Sequence, residues 1–242
     1  QTYARLSDAS SLTEGVDLAQ SQQLVAATVT ITPDEKGILA QVSKRLIRRQ
    51  GDSDVISTTG TLIANSLRRL MAKNVITLYD GFSKTVPGAS NAIDITTFRG
   101  LVAYLLTDNN TAYGPAPVPF HAALHIEQIS DIIADITDVA PRGTTTGFTE
   151  DLLQRWWKGS DRLYGVQVFH SGNIAADSAT DAKGAIFARS ALAQVMANEA
   201  EVTEEDDNSL RAIEYGIFQE WSEAEIADPH GAEVYSDVAA IT

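Results

Sequence analysis

The chain has 242 residues, 44% of them hydrophobic and 21% charged, with a formal net charge of −14 and no cysteine. That balance supports a buried core and excludes wholesale disorder, while the missing cysteines exclude disulfides and thiolate metal sites and fit a reducing cytosol. No apolar run reaches the roughly 18 residues of a membrane span, and no signal peptide is visible.

Residues 1–23 are polar and read as a loosely held N-terminal arm. A start at Gln1 rather than Met reads as either a processed end or an arbitrary boundary of the expressed segment, the processed end being the favoured reading. The stretch "TITPDEKGILAQVSKRLIRRQG", residues 30–51, then reads as a hairpin. Val29 and Ile31 alternate with threonines, and Pro33-Asp34-Glu35-Lys36-Gly37 has turn chemistry. The expected return strand puts Ile38, Ala40, Val42, Lys44, Leu46 and Arg48 on one face. Leu39, Gln41, Ser43, Arg45, Ile47 and Arg49 take the other, so neither face is cleanly apolar and the hairpin must lie on something else.

From Ser53 to Asp80 the period changes to helical, with Val55, Leu62, Ile63, Leu67, Leu70 and Met71 at spacings of three, four and seven. Ser53 is the expected N-cap and Gly81 the stop. Such a helix spans roughly 42 Å at 1.5 Å per residue. Further on, the sequence predicts a helix over 94–106 capped by Asp94, a strand over 120–124 and an isoleucine-striped helix over 125–136. It then predicts a flexible 141–147, a helix over 149–158, a buried strand over 163–174 and an apolar element over 185–196. The acidic run Glu199–Asp207 reads as a link. Strand-like alternation through Ile213, Tyr215, Ile217 and Trp221 leads to a Pro229-His230-Gly231 turn and a last segment with Val234 and Tyr235.

The charge is unevenly placed. Between Glu199 and Thr242 stand 13 acids against Arg211 alone, a net −12. Between Lys36 and Lys73 stand eight bases against Asp52 and Asp54, a net +6. The plain reading is two solvated surfaces. The sharper one is complementarity between copies, a basic arm on one subunit meeting an acidic belt on the next.

Local chemistry is sparse. His121 and His125 are spaced for one helix face, but no third ligand is indicated and the residues between them are Ala-Ala-Leu. There is no Gly-x-Ser-x-Gly elbow and no glycine-rich phosphate loop. Glu204 and Glu205 lie in a polar run, where no general acid is made. Trp156-Trp157, flanked by Arg155 and Lys158, could stack on bases or sugars, though such a pair more often serves core and interface. KRLIRR is a short basic patch in a chain whose remaining charge repels nucleic acid. No catalytic, cofactor-binding or metal residue is assigned.

In order of elements the chain resembles the HK97-like major capsid proteins of tailed bacteriophages over about residues 24–240. The segment from "VTITPDEKG" through "LYDGF" resembles that family's E-loop running into its spine helix. The segment from "GAIFARSALAQVMANEAEVTEEDDNSLRAIEYG" to the last Val-containing strand resembles its C-terminal region. The resemblance implies an α+β, HK97-like capsid fold. Its parts would be an N-terminal arm at 1–23, an E-loop hairpin at 24–50, a P-domain with the spine helix at 51–109, an A-domain at 110–200, and a return to the P-domain at 201–242. It also implies hexamers and pentamers tiling an icosahedral shell around double-stranded DNA, no cofactor and no enzymatic activity.

The implied partners are further copies of the chain, a scaffolding protein (fused and cut away, or separate), a portal and, left open, a cement protein. DNA would be packaged without sequence-specific binding, no membrane is involved, and the place is the virion, assembled in host cytoplasm. On this resemblance Lys36, Lys44, Arg45, Arg48 and Arg49 would meet acids of a neighbouring subunit, among them Glu204, Glu205, Asp206 and Asp207. Some family members crosslink a hairpin lysine to an asparagine; Lys36 is the candidate, without a recognisable partner. The competing readings are an encapsulin-like nanocompartment, another virion protein such as a tail or connector, and a soluble α/β enzyme built around His121 and His125.

Overall fold

The computed structural model describes residues 2–3, 26–50, 52–107, 113–139 and 162–238. The chain opens with β1 (Thr2–Tyr3) and β2 (Ala26–Ala27), which pair antiparallel. Then come β3 (Asp34–Ser43), α1 (Lys44–Gln50) and α2 (Asp52–Thr77), which runs into a 3-10 turn (Leu78–Gly81). Next are β4 (Thr85–Pro87), α3 (Ile95–Leu106), β5 (Phe120–Leu124), α4 (Ile126–Val139), β6 (Val166–His170) and β7 (Asp181–Ala188). Two long strands, β8 (Leu192–Asp207) and β9 (Ala212–Glu225), precede a second 3-10 turn (Asp228–His230) and β10 (Gly231–Asp237). The class is α+β, as the resemblance implies. The chain divides into two compact units, one of residues 30–75 with 193–224, the other of the described parts of 1–29, 76–192 and 225–242.

The first unit is a three-stranded sheet in the order β3-β9-β8 with α1 and α2. β3 and β9 are antiparallel with Ile38 opposite Ile217, Ala40 opposite Tyr215 and Val42 opposite Ile213. That register gathers the even residues of β3 and the odd residues of β9 onto one face. Val55, Ile63 and Leu67 of α2 complete a core with Val42, Tyr215, Ile217 and the wholly buried Trp221, and Met71 packs at its margin. Spacings of eight, four and four keep these helix residues on one stripe. On the opposite face Gly37 lies across from Phe218. A Cβ on Gly37 would come within 2.4 Å of the Phe218 ring, and one on Gly216 within 2.9 Å, so the ring occupies space that both glycines leave open.

The second unit holds a five-stranded sheet in the order β4-β10-β7-β5-β6. β7 is antiparallel to β5 and β10; β6 runs parallel to β5, and β4 parallel to β10. β5, β7 and β10 are almost continuously buried, which is why they show no clean alternation of apolar and polar residues. α3 buries Phe98, Leu101, Val102 and Leu105, one heptad stripe, and α4 contributes Ile129 and Ile132. Asp94 caps α3 as expected, accepting from the Thr97 N–H at 2.5 Å, while Asp135 of α4 accepts from Ile95 N–H at 2.8 Å. Gln128 is fully buried and ties α4 to the sheet. Its amide nitrogen lies 3.0 Å from Ala182 O, 3.1 Å from Val234 O and 2.8 Å from Ser236 Oγ, and its oxygen accepts from His125 N–H at 2.9 Å.

Five expectations need correcting, the first being the buried strand over 163–174, which is the short outer strand Val166–His170 with Val166 alone fully buried. Among the described residues the hairpin expected within 24–50 does not form: Asp34–Ser43 is one strand whose partner is β9, and Lys44–Gln50 is helical. The turn expected at Pro33–Gly37 gives way because Asp34 to Gly37 pair with Trp221 to Phe218. The long helix starts at Asp52, so Ser53 is not its cap. Finally, the acidic 199–207 is no link but the far half of β8. The helix expected at 149–158, the flexible 141–147 and nearly all of the arm at 1–23 lie outside the described residues.

Candidate functional site

Within the first unit, the basic and acidic segments meet where β3 passes into α1. Ser43 Oγ accepts from Leu46 N–H at 3.3 Å, opening the helix, and Lys44 N–H donates to Arg211 O at 2.9 Å, fastening it to the β8–β9 turn. That turn is built by Asp207, whose Oδ1 accepts from Ser209 N–H and Oγ–H, both at 2.7 Å, and from Leu210 N–H at 3.1 Å. These bonds hold its carboxyl below the usual aspartate range, the Ser209 hydroxyl contributing most. Arg211 closes the turn at a φ of 51°.

The result is an open cleft of about 540 Å³ lined by Ser43, Arg45, Arg48, Arg49, Leu210 and Arg211. Among the described residues, none of these four guanidinium groups is paired with a carboxylate. Arg48 Nε donates instead to Lys44 O of its own helix at 3.2 Å. Lys44 turns to the acidic strand, its Nζ donating to Asp206 at 2.6 Å. Glu199, Glu201, Glu204 and Glu205 stand exposed along β8. Guanidinium is always charged and offers forked donors, so what this cleft can do is hold an anion.

No family model and no curated protein sequence matches the chain. Among solved structures, the capsid of Ralstonia phage GP4 matches with a TM-score of 0.75 at 9% identity, over 99% of this chain and 83% of that one. The head of Helicobacter pylori bacteriophage KHP40 matches at 0.69 and 12% identity, over 98% and 83%. The chain has the HK97-like capsid fold. A structure of the holo-SrpI encapsulin complex from Synechococcus elongatus matches at 0.65 and 13% identity, over 91% and 80%, so an encapsulin stands among the matches beside the phage capsids.

In this HK97-like chain the predicted contact residues divide. Lys36 is engaged internally: Nζ donates to Trp221 O at 3.3 Å, lies 4.7 Å from the Trp221 ring centroid and 3.9 Å from Glu223. Lys44, Asp206 and Asp207 also serve their own subunit. Arg45, Arg48 and Arg49 are brought together at one cleft, while Glu204 and Glu205 stand exposed on β8. Arg211, a lone base in an acidic region, carries no periodic signal of a site, and only the turn brings it to the cleft. The helical pairing of His121 and His125 fails because His121 is on β5; His125 Nδ1 instead accepts from Glu127 N–H at 3.3 Å at the start of α4. Trp156-Trp157 lies outside the described residues.

Proposed function

We propose that this chain is the shell subunit of a tailed bacteriophage, a major capsid protein that assembles as hexamers and pentamers into an icosahedral shell enclosing double-stranded DNA. The observation that carries this reading is the likeness to the GP4 capsid over nearly the whole chain. On this reading the protein has no catalytic role, acts in the virion after assembly in the host cytoplasm, and meets a scaffolding protein, a portal and DNA. The unit of 30–75 with 193–224 is then the peripheral domain around the α2 spine, and 76–192 with 225–238 the axial domain.

The test is the mass of the purified protein by size exclusion with light scattering, followed by imaging. Megadalton closed shells, or isolated hexamers and pentamers, are expected; a 26 kDa monomer that never assembles, even with scaffold supplied, refutes it. The encapsulin match favours one second reading, a nanocompartment enclosing protein. Nucleic acid inside the purified particles decides for the phage shell, and protein cargo for the compartment.

A further inference from the structure

We propose that the arginine-lined cleft clasps the acidic edge strand of a second copy, with Arg45, Arg48, Arg49 and Arg211 taking carboxylates from Glu199, Glu201, Glu204 and Glu205. This deepens the shell-subunit reading and rests on it for bringing copies together. The cleft gathers four of the chain's 18 cationic residues without an acidic partner among the described residues. Guanidinium groups crowded in one place repel one another until an anion enters.

The acids nearest in sequence are already used. Asp206 holds Lys44 and Asp207 builds the turn. Of the others, Glu199 and Glu201 lie on the order of 20–25 Å from the turn end of β8 at a strand rise of about 3.3 Å per residue, so a second copy must supply these two carboxylates to the cleft. Glu204 and Glu205 stand nearer the turn, exposed and without an ion pair among the described residues. β8 is the outer strand of its sheet, exposed over most of its length and open to a neighbour. Glu199, Glu201 and Glu205 share one face at the two-residue period.

A nucleic-acid duplex fits less well. Its charge continues past a cleft lined by six residues and would run over the protein's own acidic strand. A short acidic peptide presents its charge only where the guanidinium groups stand.

The test uses the full chain and a fluorescein-labelled peptide, NEAEVTEE, copying residues 198–205. Fluorescence anisotropy at 50 mM salt, an ionic strength of about 0.05 M where surface pairing is weakly screened, should show saturable binding. Binding should weaken at least tenfold with Arg45→Glu/Arg48→Glu and vanish for a peptide with glutamine at all four glutamates. In a second arm Arg45→Glu/Arg48→Glu is mixed with Glu204→Arg/Glu205→Arg. Each alone should associate poorly and the mixture should recover, because only unlike neighbours avoid like-charge contact.

Unchanged peptide binding by Arg45→Glu/Arg48→Glu overturns the proposal. So does tighter binding of a duplex oligonucleotide that the same variant loses. The two readings fail separately. Peptide binding can be measured on a chain that never assembles, and normal shells from the arginine variant with unchanged binding would remove the cleft while leaving the shell.

Discussion

Replacing Gln128 with leucine tests whether one buried amide holds α4 to the sheet. Leucine nearly conserves volume, so loss of hydrogen bonding dominates over cavity formation. The amide nitrogen has two protons for three acceptors, so two donated bonds are fully made, and the oxygen accepts one from His125 N–H. Each bond contributes about 1 kcal/mol net, and each buried group left without a partner costs about 1–3 kcal/mol. The His125 N–H and Ser236 hydroxyl are the groups most exposed to that cost. The expected loss is therefore about 3–5 kcal/mol, a large share of the roughly 5–15 kcal/mol of a typical domain. Urea unfolding of the unassembled subunit, followed by circular dichroism, measures it. Gln128→Glu is the control: it buries a charge at neutral pH, but its protonated carboxyl can donate one bond. Its folded pKa is then raised above the unfolded value, and its deficit should shrink as pH falls towards 5. A Gln128→Leu loss under about 1 kcal/mol would refute the argument.

Gly231→Ala should destabilise by about 1–3 kcal/mol in the same assay, because its Cβ would stand 2.2 Å from two atoms of the buried Phe82 ring; additional Phe82→Leu should recover part of the loss. Asp94→Ala should cost about 1 kcal/mol by removing the cap of α3, and Asp94→Ser should cost only a fraction of that. His230 is buried with Nδ1 2.7 Å from Ser190 Oγ and its ring in a T-shaped contact with Tyr113, and burial holds its imidazole below the ordinary 6.5, outweighing the opposing bond to Gly114. The folded state therefore binds fewer protons than the unfolded one as pH falls below 6.5. The contribution is fully present above 6.5 and is lost towards the lowered folded value. Thermal midpoints at pH 7.5 and 5.5 should consequently fall more for the wild type than for His230→Gln.

Much of the fold was legible where one period dominated. α2 shows its stripe through Val55, Ile63 and Leu67, Asp94 announces α3, and the isoleucines of α4 mark its buried side. The failures have one physical source, information carried by distant partners. Lys44–Gln50 places Leu46 and Ile47 between pairs of bases, compatible with strand or helix; the Ser43 cap and the bond to Arg211 decide it. Gly37 reads as a turn glycine, but its bare backbone makes room for Phe218, 181 residues on. β8 hides because a strand exposed over most of its length has no apolar alternation to display. The arginine half of the site was visible as KRLIRR, yet the cleft itself needs Leu210 and Arg211, which only the β8–β9 turn delivers.

The first unit leaves apolar side chains in water that a free-standing domain would tend to cover. Leu62 is 64% exposed, Leu39 57% and Val202 66%. β8 adds a 16-residue outer strand, the kind of edge that invites another edge to pair with it. Its carboxylates oppose that pairing, since two copies aligned edge to edge would set like charges opposite one another. The same carboxylates favour a guanidinium cleft. The charge pattern thus discriminates between two ways for copies to meet, disfavouring edge on edge and favouring edge on cleft. The second contact is heterologous, joining different patches of identical chains, and repeated heterologous contacts can close into rings. Each exposed pair contributes only about 0–1 kcal/mol, so charge selects the geometry. Area then stabilises it: exposed leucines and valines contribute about 25 cal/mol per Å² once the pairing brings them under cover. On this reasoning raised salt should erode the selectivity of association before its strength, because screening acts on the carboxylates and not on the leucines.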